Sequence, residues 1–306
     1  MQTLWYALPV AVVSVVVLFL VVGVRYLYKG ENPPLWLQCA CIIPFMLFSL
    51  RYWYLPIELA AGMFAGIYDP VHNLFPGRAA KDMIPCTEHT YACSVLSFAY
   101  PQHVAWTMGL FDGYTLRAWL PKVLKAHIFF NAMALCLFPW QLWLMQHGKR
   151  QRHRVVGRLI GLSVVLGTSL GWFMSIRAHR DIHAYGGVLS MLAFGIMWTS
   201  IVGSATLGYL YIKKKDIENH KKWMVRCFGA LFGSFFFWRI EALVLQWMFS
   251  SATGWLFYTM NTWLLGMLLF DYAARKSGFY AAKTPQLAPH QSACHYPKLL
   301  LGHGKI

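Results

Sequence analysis

HRVVGRLIGLSVVLGTSLGWFMSI, residues 153–176, begins with His153, Arg154 and Arg158 and then runs to Ile176 without another charge. A helix needs about 20 mostly apolar residues to cross roughly 30 Å of hydrocarbon, so 156–176 reads as a transmembrane span. Six further runs have the same character, at 6–24, 34–56, 123–146, 185–211, 227–249 and 255–273. The fold class that follows is all-α, a polytopic transmembrane bundle of about seven helices.

Composition agrees with that reading. Of 306 residues, 58% are apolar and 12% charged, and mean hydropathy is +0.46, whereas a soluble domain carries about 25% charge. The net charge of +16, from 27 Lys and Arg against 11 Asp and Glu, reports which loops face the cytoplasm and does not imply a nucleic-acid partner. The basic residues cluster in alternate connections: Lys149 to Arg158, Lys213 to Arg226, and the tail from Arg275. The connection from Ser250 to Gly254 has none. Seven spans with that alternation place the N-terminus outside and the C-terminus in the cytoplasm.

The first two spans make an N-terminal unit, 1–56, and the remaining five a core, 122–273. Between them, 57–121 is too long and apolar for a plain linker. Its aromatic, Gly- and Pro-punctuated part from Val95 to Pro121 reads as interfacial or re-entrant pieces that fold over the outer mouth as a lid. Cys86 and Cys93 lie there, where either a local disulfide or two free thiols fits. The seven cysteines include no CxxC pair, which argues against a structural zinc site. Residues 274–306, rich in Pro, Ala, Gln and His, read as a disordered cytoplasmic tail.

Ionisable groups inside a span are costly and default to functional candidates. In the third span His127, Asn131, Phe138 and Gln141 fall within about 40° of one line, a polar stripe that must face the bundle. The sixth span carries Arg239 and Glu241, about 20 Å from the cytoplasmic edge. Arg51, His127, His179 and His183 share that outer depth. A second group, His147, His153, Arg154, Arg158, His220, Trp223 and Arg226, sits at the inner surface. Two histidine clusters, one per leaflet, form the coarse pattern of a protein holding two b-type haems, with neutral imidazoles as ligands and arginines beside the propionates. The spacings Gly157-x-x-x-Gly161, Gly167-x-x-x-Gly171 and Gly229-x-x-x-Gly233 give either tight helix packing or room for a flat macrocycle.

From about Lys125 to Arg239 the chain resembles a family of predicted membrane proteins catalogued only as a domain of unknown function. The resemblance rests on His127 and Pro139-x-Gln141, then His153-Arg154-x-x-Gly157-Arg158, Trp198, and His220-x-x-Trp223-Met224-x-Arg226. It implies membrane residence and no activity. The same region also resembles the di-haem b-type transmembrane cytochromes, which carry inward-facing histidines in consecutive spans.

Three function classes follow. The first is a membrane oxidoreductase binding haem b, with His127 and His183 as outer ligands, His153 and His220 as inner ligands, and Arg158 and Arg226 beside propionates. It would work between an electron donor and an acceptor across the lipid bilayer. The second is a haem-free intramembrane enzyme, a cyclase, isomerase or tailoring enzyme of a lipophilic small molecule. There Glu241 and His127 are general acid and base, and Arg239 stabilises anionic charge. The third is a transporter or assembly factor; the absence of an internal inverted repeat weakens the transporter version.

Overall fold

The computed structural model describes residues 120–182, 187–248 and 251–280, with helical positions at 21, 22, 25, 42, 43, 46 and 51–54 and a turn at 50. Among them there is no strand. The helices are α1 (Arg51–Tyr54), α2 (Leu120–Gln146), α3 (Arg150–Ile182), α4 (Gly187–Lys213), α5 (Ile217–Met248) and α6 (Ser251–Lys276). Each of the five core spans is one of the long helices α2 to α6. The spans at 6–24 and 34–56 lie largely outside the described residues. So do Cys86, Cys93 and the lid, except that α2 takes its first residues from the lid's end.

Segments Lys122–Gln146, Arg150–Arg177 and Met191–Lys213 are each long and apolar enough to cross a membrane. Leu162, Leu192 and Leu268 on α3, α4 and α6 are more than half exposed. Large apolar side chains turned outward on successive helices suit a bilayer and not water.

Two short turns at one end reverse the chain. After α2, Gly148 adopts φ 67°, and the Lys149 N–H reaches back to the Leu144 carbonyl at 3.0 Å, closing the helix with the left-handed residue such caps favour. After α4, Lys215 takes φ 61°. Asp216 then caps α5, accepting from the Asn219 backbone N–H at 3.1 Å and its side-chain amide at 2.6 Å. Those bonds hold the Asp216 carboxyl below the usual carboxylate range. Both turns, and the end of α6, are rich in Lys and Arg; this is the basic end of the bundle.

Consecutive helices pack antiparallel, α6 also meets α4, and α2 meets α5. Helices α2 to α5 therefore close a four-membered ring in which α3 and α5 lie on one diagonal. Phe138 of α2 stands 4.5 Å from Phe228 of α5, and Phe228 and Phe232 meet Phe270 of α6 at 5.1 and 5.3 Å. Ile42 and Met46 are buried in the same core. Trp53 of α1 donates to the Lys125 carbonyl at 3.0 Å, fixing α1 against the start of α2.

Where the sequence reading starts a disordered tail at 274, α6 continues to Lys276. The Gly278 N–H then bonds Arg275 and that of Phe279 bonds Ala274. The reason is local: Gly278 takes φ 69° and caps the helix. Residues 281–306 lie outside the described part.

Candidate functional site

The polar members of the stripe on α2, His127, Asn131 and Gln141, face α3, and the α3 glycines are their seats. A Cβ at Gly171 would lie 2.6 Å from the His127 ring, and one at Gly157 2.9 Å from the Gln141 amide. The His127 Nδ1–H donates to the Gly167 carbonyl at 2.7 Å. The Asn131 amide lies 3.2 Å from the same nitrogen. A protonated Nδ1 can meet only the amide oxygen, and turning the amide that way gives a partner to the Asn131 Oδ1, which otherwise has none.

At the basic end His153, in the first turn of α3, is held at both nitrogens by Gln141. Its Nδ1 lies 3.3 Å from the Gln141 carbonyl and its Nε2 3.2 Å from the side-chain amide. The amide N–H can only be accepted by an unprotonated Nε2, so the proton sits on Nδ1. His220, in the first turn of α5, donates Nδ1–H to the Gly208 carbonyl of α4 at 2.8 Å. Met224, one turn on, fills the space over Gly208, its sulfur 2.7 Å from where a Cβ would be.

The same motif ties α5 to α6. Arg226 lies over the Trp223 ring at 4.9 Å and donates to Asp271 at 3.1 Å. Asp271 also takes Arg275 at 2.8 Å and the Tyr280 hydroxyl at 2.9 Å. Burial and then the bond to Asp271 push the Tyr280 hydroxyl up from its ordinary value. Lys221 reaches the Phe279 carbonyl at 3.4 Å, and its own burial lowers its affinity for a proton.

The expected residues thus divide. His127, His153 and His220 point into the bundle, each with Nδ1 on a backbone carbonyl of a neighbouring helix. Arg226 is engaged by Asp271. Arg158 is exposed, about 140° around α3 from His153 at 100° per residue, on the other side of the helix from that imidazole. His147 is exposed and stacks on Trp143 at 4.3 Å. His183 lies outside the described residues, as do the side chains of Arg51, His179, Arg239 and Glu241, whose backbones are helical. The role of Asp271 as a hub is missed by the sequence reading, which pairs it only with Arg275. Its signal is a lone carboxylate among cations at a span's end.

The glycine spacings divide too. Gly157, Gly167 and Gly171 receive polar side chains of α2. At Gly229 a Cβ would lie 2.6 Å from the Gly266 carbonyl oxygen of α6, so these two helices meet backbone to backbone. Gly161 faces open space.

Residues 124–273 match the model of a family described as predicted membrane protein, DUF2306. The five-helix region belongs to that family. The match spans nearly all of α2 to α6 and both histidine–arginine elements, and the protein is an integral, multi-pass membrane protein. Comparison with curated proteins gave no match, and comparison with solved structures gave none.

Proposed function

We propose that the protein is a multi-pass membrane oxidoreductase of b-type cytochrome character, its basic end in the cytoplasm and its N-terminus outside. One observation carries the reading: three imidazoles on three helices each place Nδ1 on a neighbouring helix's backbone carbonyl. That bond fixes the tautomer and turns Nε2 into a lone-pair donor, the arrangement in which histidine ligates a metal.

The donor set fits haem b. Three of the candidates stand one per helix: His127 on α2 away from the basic end, and His153 on α3 and His220 on α5 at it. The pair at the basic end, His153 and His220, belongs to the first turns of the diagonal helices α3 and α5. His153 and His220 would hold one haem, and His127 with His183 a second, supplying one-electron transfer through the bilayer.

The chain's own residues do the rest. Gly167, Gln141 and Gly208 orient the rings through their carbonyls. The Gln141 amide occupies the His153 Nε2 and is the group a metal would replace. Aromatic packing of Phe138, Phe228 and Phe232 keeps water from the space between the ends.

The test is a visible spectrum of the purified full-length protein made with haem supplied. A Soret band that shifts on dithionite reduction is expected, with about half its intensity lost in His220→Ala and a different component lost in His127→Ala. A colourless, folded wild-type preparation ends the proposal.

A further inference from the structure

Arg150, Arg154, Gly161, Arg158, Val165 and Trp172 fall within an arc of about 80° on α3 at 100° per residue. The far end of that face is covered, because Trp172 stacks on Trp198 of α4 at 4.5 Å and Trp198 donates to Ser169 at 3.0 Å. Toward the basic end the same face is open. Arg150, Arg154 and Arg158 are exposed, Val165 is 40% exposed, and a Cβ at Gly161 would meet nothing within 4 Å.

The facing side of α4 behaves alike. Tyr209 and Lys213 lie within about 60° of Trp198 around that helix. Both are exposed, with the Lys213 ammonium 5.4 Å from the Tyr209 ring centroid. So α3 and α4 touch at the tryptophan pair, and toward the basic end the corresponding sides of both are open. The result is a cleft that is cationic at its mouth and apolar at its floor.

Three other cations of this end have acids: Lys222 has Glu218, and Arg226 and Arg275 share Asp271. Among the described residues no carboxylate pairs with Arg150, Arg154 or Arg158. There is no acidic residue in the first turn of α3, where the helix dipole adds to the positive potential of the arginines. An anion from outside the chain is what balances this charge. The 14 steps from Arg158 to Trp172 span about 21 Å, more than the ~15 Å depth of one leaflet's hydrocarbon.

We infer that an anionic phospholipid of the leaflet at the basic end is seated between α3 and α4. Its phosphate lies on Arg150, Arg154 and Arg158, and one acyl chain lies over Gly161 and Val165 toward the Trp172–Trp198 pair. Basic clefts between transmembrane helices recognise headgroups in this way. The inference does not depend on haem.

The full-length protein in nanodiscs of phosphatidylcholine with one-fifth phosphatidylglycerol would be extracted into mild detergent and its retained lipid counted by mass spectrometry. Retention of phosphatidylglycerol over phosphatidylcholine is expected. Arg154→Gln and Arg158→Gln should each lower it about fivefold, while Arg152→Gln, about 160° around the helix from Arg154, removes the same charge with little effect. Gly161→Leu, which leaves every charge in place, should displace the acyl chain and lower retention without unfolding the protein. Excess inorganic phosphate should not release the lipid. Equal retention of the two lipids, or equal loss in Arg152→Gln and Arg154→Gln, overturns the inference. So does indifference to both Arg158→Gln and Gly161→Leu, the result if another part of the chain or a second copy covers the cleft.

Discussion

Asp271 shows how a single residue can set the geometry of one end of a membrane protein. Its carboxylate, 12% exposed, accepts from Arg226 on α5, Arg275 one turn along α6, and Tyr280 beyond the helix cap. Replacing it by Asn keeps the size and removes the charge, leaving two guanidiniums without their anion. Arg226 is 26% and Arg275 61% exposed, so water softens the loss relative to a sealed ion pair. Asp271→Asn should therefore cost on the order of 1–3 kcal/mol, read as earlier thermal unfolding by tryptophan fluorescence. A variant indistinguishable from the native protein would mean that the hub contributes nothing. At this scale the sequence was half legible. The i,i+4 spacing of Asp271 and Arg275 shows itself, but the reach to Arg226 depends on how α5 and α6 are rotated against each other. The imidazole contacts were hidden for a related reason: the acceptors are main-chain carbonyls, which no side-chain pattern marks.

At the scale of elements, glycine does two opposed things, and substitution separates them. On α6 a Cβ at Gly266 would run into the Gly229 carbonyl and the Gly233 Cα, both backbone and unable to yield unless α5 moves. Gly266→Leu should cost about 3 kcal/mol or more by forcing the pair apart. Gly161→Leu on α3, which points into open space, should stay within about 0.5 kcal/mol of the native protein. Comparable losses for the two in the same unfolding assay would refute the backbone-to-backbone contact. Both positions read alike in the sequence as small residues in apolar helices, because spacing says nothing of what stands opposite. Helices α3, α5 and α6 begin before the apolar windows that mark them. The apolar window at 227–249 covers the later part of α5, which begins ten residues earlier at Ile217 and ends at Met248; α3 likewise starts at Arg150, before the window at 156, and α6 at Ser251, before the window at 255. Hydropathy sees the part that must be dry, whereas Asp216 and the long basic side chains carry the helix into the interface. His153 and His220 accordingly lie in first helical turns, with fixed directions.

For the molecule as a whole, the asymmetry of charge between its two ends makes a prediction about orientation. The connection Lys213–Asp216 and the first two turns of α3 and α5 gather Arg150, Arg152, Arg154, Lys213, Lys214, Lys215, Lys221 and Lys222 at one end. Short loops so loaded are retained in the cytoplasm during insertion, which would put the His153–His220 pair and the α3–α4 cleft at the inner leaflet. In a cysteine-free background, Lys214→Cys should resist a membrane-impermeant maleimide on intact cells and react once they are permeabilised. Thr253→Cys, at the opposite end in the first turn of α6, should label without permeabilisation. The reverse pattern would put both features at the outer leaflet, away from cytoplasmic reductants, and would remove the positive-inside basis on which the proposed orientation rests.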